Sequence, residues 1–563
     1  AEDHWRDTMS LFRKKLIDME NKNIVKLYEE SFKNYHNDSA LTDYFSKKSY
    51  TYYQLAEEIE QFHTLLKCCN VQKGDKVALT GKNDTKWVIC YIGVITYGAV
   101  IVPILSDFNP ADTINIINHS DAELLFIGEE IWRKLPQDSL ERVKIAFNLQ
   151  NREILYDKSE GVLTEKIENI EYPSFDIQKV NYASLDDDDV IVISYTSGTS
   201  GFSKGVMLTV RNITANVVFA LEHKFHYHKS TVLALLPLAH AYGCAFDMLT
   251  PLAAGSHIYL LGKIPAPKIL IQAMKETKPD LICTVPLVIE KVVKKNVFPK
   301  LEKQPLKLLS KIPLVNKLIF RKIRKTMLES FGGRMTEMNM GGAAVSPEVE
   351  KFLFKIKFPF TVGYGMTECA PLISYSRHDD YVPGSCGKIL PGMEVKNGEQ
   401  GEILVRGPHV MKGYYKNPKA TAESIDSEGW LHTGDIGVIS PDGVISLRGR
   451  SKSMILLGNG QNIYPEEIEY KLNALDLVSE SLVYEENGRI IALVVPDYDE
   501  ARRNNLSSDN IREIMNSNLL KLNSVVAPYE KVSSIKICVD EFIKTPKKSI
   551  IRYLYPEKAN ILV

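Results

Sequence analysis

Residues 189–205 read DVIVISYTSGTSGFSKG. The first part is an apolar, β-branched run of the kind that forms a strand buried on both faces. The second part, from Tyr195 to Gly205, is a loop of Gly, Ser and Thr that closes on Lys204. Glycines let backbone N–H groups turn inward toward a polyanion, hydroxyls donate further bonds, and an ammonium supplies charge. Thr196, Ser197, Gly198, Thr199, Ser200, Gly201 and Lys204 are therefore expected to cradle a phosphate chain, on a strand-to-helix loop. The run is not a G-x-x-x-x-G-K-[ST] loop, because Gly205 follows the lysine where Ser or Thr is required. A surface turn is the plain alternative; the strand in front and the lysine behind weigh against it.

Similar apolar runs flank this stretch: KVALTG (76–81), AVIVPI (99–104), AELLFIG (122–128), TVLALLPL (231–238), HIYLLG (257–262) and LICTVP (281–286). Strand runs alternating with helical patterns predict parallel sheets covered by helices. From about 383 the texture turns to short strands and glycine turns, as in GEILVRG and DGVISLRG. Beyond Arg450, PEEIEYKLNAL reads as a helix and SESLVYEENGRIIALVVPD as a hairpin. The expected fold class is α/β: a large N-terminal domain (1–451) with helix-covered parallel sheets and a small β-rich part (383–451), then a small mobile α+β C-terminal domain (452–563).

Composition bounds what this chain does. It has 563 residues, with 69 Lys and Arg against 70 Asp and Glu, a balance that argues against a nucleic-acid binder. Eight cysteines with no CxxC pair argue against a zinc ribbon or a disulfide scaffold and fit buried thiols in a reducing compartment. The first thirty residues are charged throughout, with no apolar signal-peptide core. WVICYIGVITYGAVIVPIL (87–105) is long enough to nominate a membrane helix. Its glycines, proline and late β-branched residues predict instead a buried helix to about Tyr97, a break near Gly98 and a buried strand. The acidic run 186–189 reads as a solvated loop, and His223, His226 and His228 lack the carboxylate or thiolate partner that a metal cluster needs.

Further motifs follow in order: PLAHAYG (237–243), GGAAVS (341–346), GYGMTE (363–368), GWLHTGD (429–435), GRSKSMILLGNGQNIYPEEIE (449–469) and TPKKSIIR (545–552). With YTSGTSGFSKG they resemble the adenylate-forming (AMP-binding) superfamily of acyl-CoA synthetases, luciferases and peptide-synthetase adenylation domains. Seven ordered matches over about 360 residues make coincidence untenable.

The resemblance implies a reaction. A carboxylate resists thiol attack until one of its oxygens displaces pyrophosphate from the α-phosphorus of ATP, giving an acyl-AMP. Both reactants are anions, so the site must supply positive charge and alignment. Glu368 suits a Mg²⁺ ligand, Thr367 a donor to the α-phosphate, and Tyr364, between Gly363 and Gly365, an aromatic face for adenine. Asp435 is implied as the ribose ligand and Arg450 as a second ribose contact, a turn aspartate being the plain alternative for the former. His240 is implied at the mouth of the acyl pocket, whose wall is Gly341, Gly342 and Ala343. Lys452 falls at the hinge of the C-terminal domain, and Gly458, Asn459 and Gly460 on the coenzyme A path.

One motif departs from the family. Its T-x-x-G-K-I-x-R pattern, aligned on Thr545 and Arg552, puts Ser549 where the catalytic lysine belongs. Lys547 or Lys548 then reaches in from a shifted backbone, or adenylation proceeds without this cation; Lys548 is the nominee. The segment 291–325 carries 12 Lys or Arg and one Glu, interleaved with apolar residues. It reads either as a solvated helical hairpin or as a face for peripheral contact with an anionic membrane, and its position resembles that of long-chain fatty acyl-CoA ligases. The expected activity is therefore a cytoplasmic, ATP- and Mg²⁺-dependent long-chain fatty acid–CoA ligase. A fatty acyl-AMP or acyl-carrier-protein ligase, or a medium-chain or aryl acid–CoA ligase, is the alternative.

Overall fold

The strand Val190–Thr196 is third in an eight-stranded sheet, between Lys204–Thr209 on one side and Val100–Ile104 on the other. The structure is a computed structural model that describes residues 23–196, 204–262, 267–302, 313–450, 453, 455–456, 462–544 and 550–562. From Val100–Ile104 the sheet continues through Lys76–Thr80, Leu124–Ile127 and Ile145–Asn148, all parallel. Antiparallel strands close both edges, Gly413–Tyr414 beyond Lys204–Thr209 and Ile154–Asp157 beyond Ile145–Asn148.

The segment 87–105 folds as its pattern requires. Asp84 accepts the N–H of Trp87 and so starts the helix Thr85–Tyr97; Gly98, at φ 94°, ends it, and Val100–Ile104 is a fully buried strand. A left-handed residue costs glycine nothing, so helix and strand can meet without a loop. No helix among the described residues is long and apolar enough to cross a membrane.

The expectation for 195–205 needs correcting. Lys204–Thr209 is a strand paired antiparallel to Val190–Thr196, with Thr196 opposite Lys204, so the loop joins two strands of a hairpin. The helix begins only at Val210, capped by Thr209 in a reciprocal box with Asn212. KGVMLT alternates like a half-buried strand, so the segment after 197–203 is a strand and not the start of a helix. Ser197, Gly198, Thr199, Ser200 and Gly201 lie outside the described residues.

A second, seven-stranded sheet runs Phe360–Val362, Glu337–Met340, Leu281–Thr284, Thr231–Ala234, His257–Leu260, Ser39–Asp43 and Ser49–Thr51; only its last pair is antiparallel. Four antiparallel strands from Glu394–Asn397 to Ile445–Arg450 make the β-rich part. After it, the hairpin Val478–Glu486 and Arg489–Pro496 takes Ser534–Ile537 as a third strand, covered by the helices Pro465–Leu472 and Ser508–Val525. These C-terminal elements surround a core of their own, with Ile468, Leu472, Val483, Val494 and Leu522 at its centre.

The basic segment commits its apolar side inward. Val293 is buried, and Phe298 and Phe320 pack edge-on against Phe352 of the helix Pro347–Lys355. What the described part turns outward is charge, with Leu318 the exposed apolar exception. All eight cysteines are unpaired; Cys68 and Cys386 are half-buried and the other six buried.

The three histidines 223, 226 and 228 form no cluster. His223 bonds the Phe219 carbonyl, His228 the Asp38 carboxylate, and buried His226 the Phe246 carbonyl. Burial pulls His226, and likewise His409, down to about 4 from an ordinary value of 6.5. Between these two values the unfolded chain binds protons that the folded chain refuses, so stability falls as pH falls through that window. Each histidine costs up to ~3 kcal/mol once pH is below both values. The thermal midpoint is expected to drop steeply between about pH 6.5 and 4.5, with part of the slope removed by His409→Gln; a flat profile in differential scanning calorimetry would contradict it.

Candidate active site

The strands Leu281–Thr284, Glu337–Met340 and Phe360–Val362 are parallel neighbours, so their carboxyl ends lie side by side, the end of such a sheet where ligands bind. Gly341 donates its N–H to the Thr284 carbonyl, and Gly363 to the Met340 carbonyl. Two motifs separated in sequence, GGAAVS and GYGMTE, thereby meet on one rim. His240, after the neighbouring strand Thr231–Ala234, is half-buried and accepts the N–H of Tyr242. Gly341 faces the Tyr242 ring, where an added Cβ would stand 3.3 Å from it; at Gly342 an added Cβ would meet nothing within 4 Å. Gly342 and Ala343 are exposed.

After Gly363 the chain makes a hairpin in which a Cβ at Gly365 would lie 2.2 Å from the Pro371 carbonyl oxygen, which excludes any other residue there. The hairpin holds Thr367, buried, and Glu368, half-buried, on a single tight turn. The Glu368 carbonyl accepts the N–H of Met411, and its Oε1 accepts the hydroxyl of Tyr414 at 2.9 Å. Tyr414 belongs to the edge strand beside Lys204–Thr209, and the Lys204 ammonium stands 4.8 Å from the centre of its ring. One aromatic residue thus fixes an anion through its hydroxyl and a cation over its face. Sequence reasoning missed Tyr414: nothing local marks MKGYYKNP, and its role exists only through strand pairing across some 200 residues of chain.

Asp435, on the strand Leu431–Ile439, is buried, with its Oδ1 2.7 Å from Nε of Arg450 and its Oδ2 accepting the Tyr364 hydroxyl at 2.6 Å. Burial pushes its pKa up, and the Arg450 guanidinium opposes that rise. Tyr364 is itself buried, and its hydroxyl orients Asp435. A carboxylate has about four lone-pair sites, so two engaged oxygens can still accept hydroxyls from a sugar. Thr196 and Lys204, Gly363 to Glu368, and Asp435 with Arg450 are therefore joined by direct contacts or shared pairing. Lys452, Gly458, Asn459, Gly460 and Lys548 lie outside the described residues.

For a divalent cation the fit is narrow but sound. The described residues contain no cluster of three or more His, Cys, Asp or Glu, so no protein cage exists there. Mg²⁺ needs none, since it is held by one or two carboxylates together with substrate phosphates and water. Glu368 Oε2 has no hydrogen-bond partner among the described residues, while Oε1 is held by Tyr414.

This architecture is that of the adenylate-forming enzymes: a solved anthranilate–CoA ligase in complex with anthranoyl-AMP matches with a TM-score of 0.76 at 19% identity, over 96% of this chain and 97% of that one. Residues 28–415 match the AMP-binding enzyme family, and the chain belongs to it. Among curated relatives, a peroxisomal long chain acyl-CoA synthetase of Arabidopsis thaliana is 29% identical over 79% of this chain and 68% of its own length. A chloroplastic long-chain-fatty-acid–acyl-carrier-protein ligase of the same plant is 26% identical over 80% and 73%. A human long-chain-fatty-acid–CoA ligase is 29% identical over 80% and 70%. The family is one of adenylate-forming ligases that use ATP to join acyl or aryl acids to coenzyme A or to acyl carrier protein.

Proposed function

We propose that this chain activates a long-chain fatty acid with ATP, forming acyl-AMP and pyrophosphate, and passes the acyl group to coenzyme A. The observation that carries the reading is the convergence of Lys204 and Glu368 on Tyr414, beside the Asp435–Arg450 pair. Such a set holds a triphosphate by its charge and a ribose by its hydroxyls. Lys204, released from the ring, neutralises phosphate oxygens; Thr367 donates to the α-phosphate; Asp435 and Arg450 fix the sugar; and Tyr364 stacks beneath the base. Mg²⁺ bound at Glu368 would neutralise charge on the phosphates. The fatty acid enters past His240 along Gly341, Gly342 and Ala343, where small residues leave room for an alkyl chain. Long-chain acids are favoured by the names of the relatives just described.

Residues 452–563 serve, in this proposal, as a mobile domain turning near Lys452, with Gly458, Asn459 and Gly460 on the thiol path and Lys548 as the cation brought to the acid. A separate hydrophobic core, which those residues have, is what an independently moving domain needs. ATP–pyrophosphate exchange across acids from acetate to oleate, with and without coenzyme A, tests the reading. Exchange with long acids and a thioester product are expected. Exchange with short acids alone would overturn the substrate, and exchange without any CoA thioester would point to an acyl-AMP or carrier-protein ligase.

A further inference from the structure

Asn339 lies on the strand Glu337–Met340, two residues before Gly341, with 5% of its surface exposed. Both of its side-chain atoms, Oδ1 and Nδ2, lack a hydrogen-bond partner, and no other buried side chain among the described residues leaves two polar atoms unpaired. The hydroxyls and carboxylate around it are already engaged, and Cys283, opposite it on the other neighbouring strand, offers only a weakly bonding thiol. Tyr242 spends its hydroxyl on the Asn339 carbonyl, and Thr361, opposite Asn339 in the register, spends its own on Ser376. Glu337, on the same face, is taken by Tyr375 and His378.

An unpaired buried polar atom costs about 1–3 kcal/mol, so an amide with two calls for an occupant. Its place says which. Alternate residues of a strand share a face, and Met338 and Met340 are buried in the core behind the sheet. Asn339 and Gly341 therefore share the face on which the Tyr242 ring covers Gly341, at a spacing of roughly 6–7 Å. The amide sits just inside the glycine wall along which the proposed function runs the acyl chain. A plain alkyl chain would leave both atoms orphaned. A hydroxyl satisfies both at once, donating to Oδ1 and accepting from Nδ2.

We propose that Asn339 recognises a hydroxyl on the acyl chain, so that the preferred substrate is a hydroxylated long-chain acid. The inference rests on the ligase reading and deepens it. Its test is the kcat/KM of ATP–pyrophosphate exchange for chain-matched acids, plain or bearing one hydroxyl at successive positions, in the wild type and in Asn339→Leu. One hydroxylated isomer is expected to exceed the plain acid by about tenfold or more, because a site built to bond a hydroxyl discriminates strongly against its absence. Asn339→Leu is expected to reverse that order and to keep or raise the thermal midpoint.

If the wild type takes the plain acid as well as every isomer, the amide holds an ordered water only and the proposal falls. It falls equally if Asn339→Leu folds and leaves the order unchanged, or if its midpoint drops markedly, which would show the amide paired in the folded protein. The wild-type panel decides alone should the variant not fold. No exchange with any acid would instead overturn the ligase reading, and this proposal with it.

Discussion

Glu368→Ala is expected to abolish ATP–pyrophosphate exchange, a loss of about 10³-fold or more, as for removal of a group that stabilises charge in the transition state. The turn that carries the carboxylate is fixed by the backbone contact to Met411, which alanine keeps, so the variant should fold while losing the charge and the acceptor of the Tyr414 hydroxyl. Tyr414→Phe supplies the graded comparison. It keeps the ring beneath Lys204 and removes one hydrogen bond to an ionised group, so about a tenfold loss is expected. That loss should be accompanied by a raised Mg²⁺ requirement. Exchange by Glu368→Ala within tenfold of wild type would show that the metal and phosphates are held elsewhere.

The second large effect concerns stability. Arg552 reaches both oxygens of Glu469, at 2.7 and 2.9 Å, and the Val483 carbonyl; Glu469 in turn accepts the Val483 N–H. Burial pushes the Glu469 pKa up and Arg552 opposes it. Removing one member of such a pair leaves a charge buried without its partner, at about 3–5 kcal/mol. Arg552→Ala is therefore expected to loosen the helix Pro465–Leu472 from the hairpin Val478–Pro496 while leaving the N-terminal sheets intact. Hydrogen exchange should show protection lost across 465–496 and retained in Val100–Ile104. Replacing both partners, Glu469→Met with Arg552→Leu, should cost much less. Equal exchange in wild type and Arg552→Ala would mean the pair adds nothing. Lys544 bonds Glu480, and a bridge joins it to Ile550; the motif arginine thus belongs to the frame on either side of residues 545–549.

What the sequence revealed follows from how local each signal is. The break at Gly98 was legible because a helix-to-strand switch and a left-handed glycine are written in adjacent residues. The hairpin at 190–209 was misread because KGVMLT is short and runs straight into a helix; its strand character rests on pairing with Val190–Thr196, which no window along the chain contains. Motif resemblance nominates Glu368 and Asp435 but not the residue joining Glu368 to Lys204, since Tyr414 reaches them only across a sheet edge. Tyr364 was read for its aromatic face, whereas its hydroxyl contact with Asp435 needed the folded chain. Asn339 had no signal at all: an orphaned amide is a property of its surroundings, not of its neighbours in sequence.

The sealed thiols carry a practical consequence. With six of eight cysteines out of solvent and the remaining two half-covered, burial raises the Cys386 thiol to about 12 and keeps it a poor nucleophile. A dye-bearing cysteine placed on the outer face of the helix Ser508–Val525 would stand in solvent, against native thiols that are at most half-exposed. Fluorescence from such a label would test whether the last hundred or so residues rotate during turnover, as proposed above.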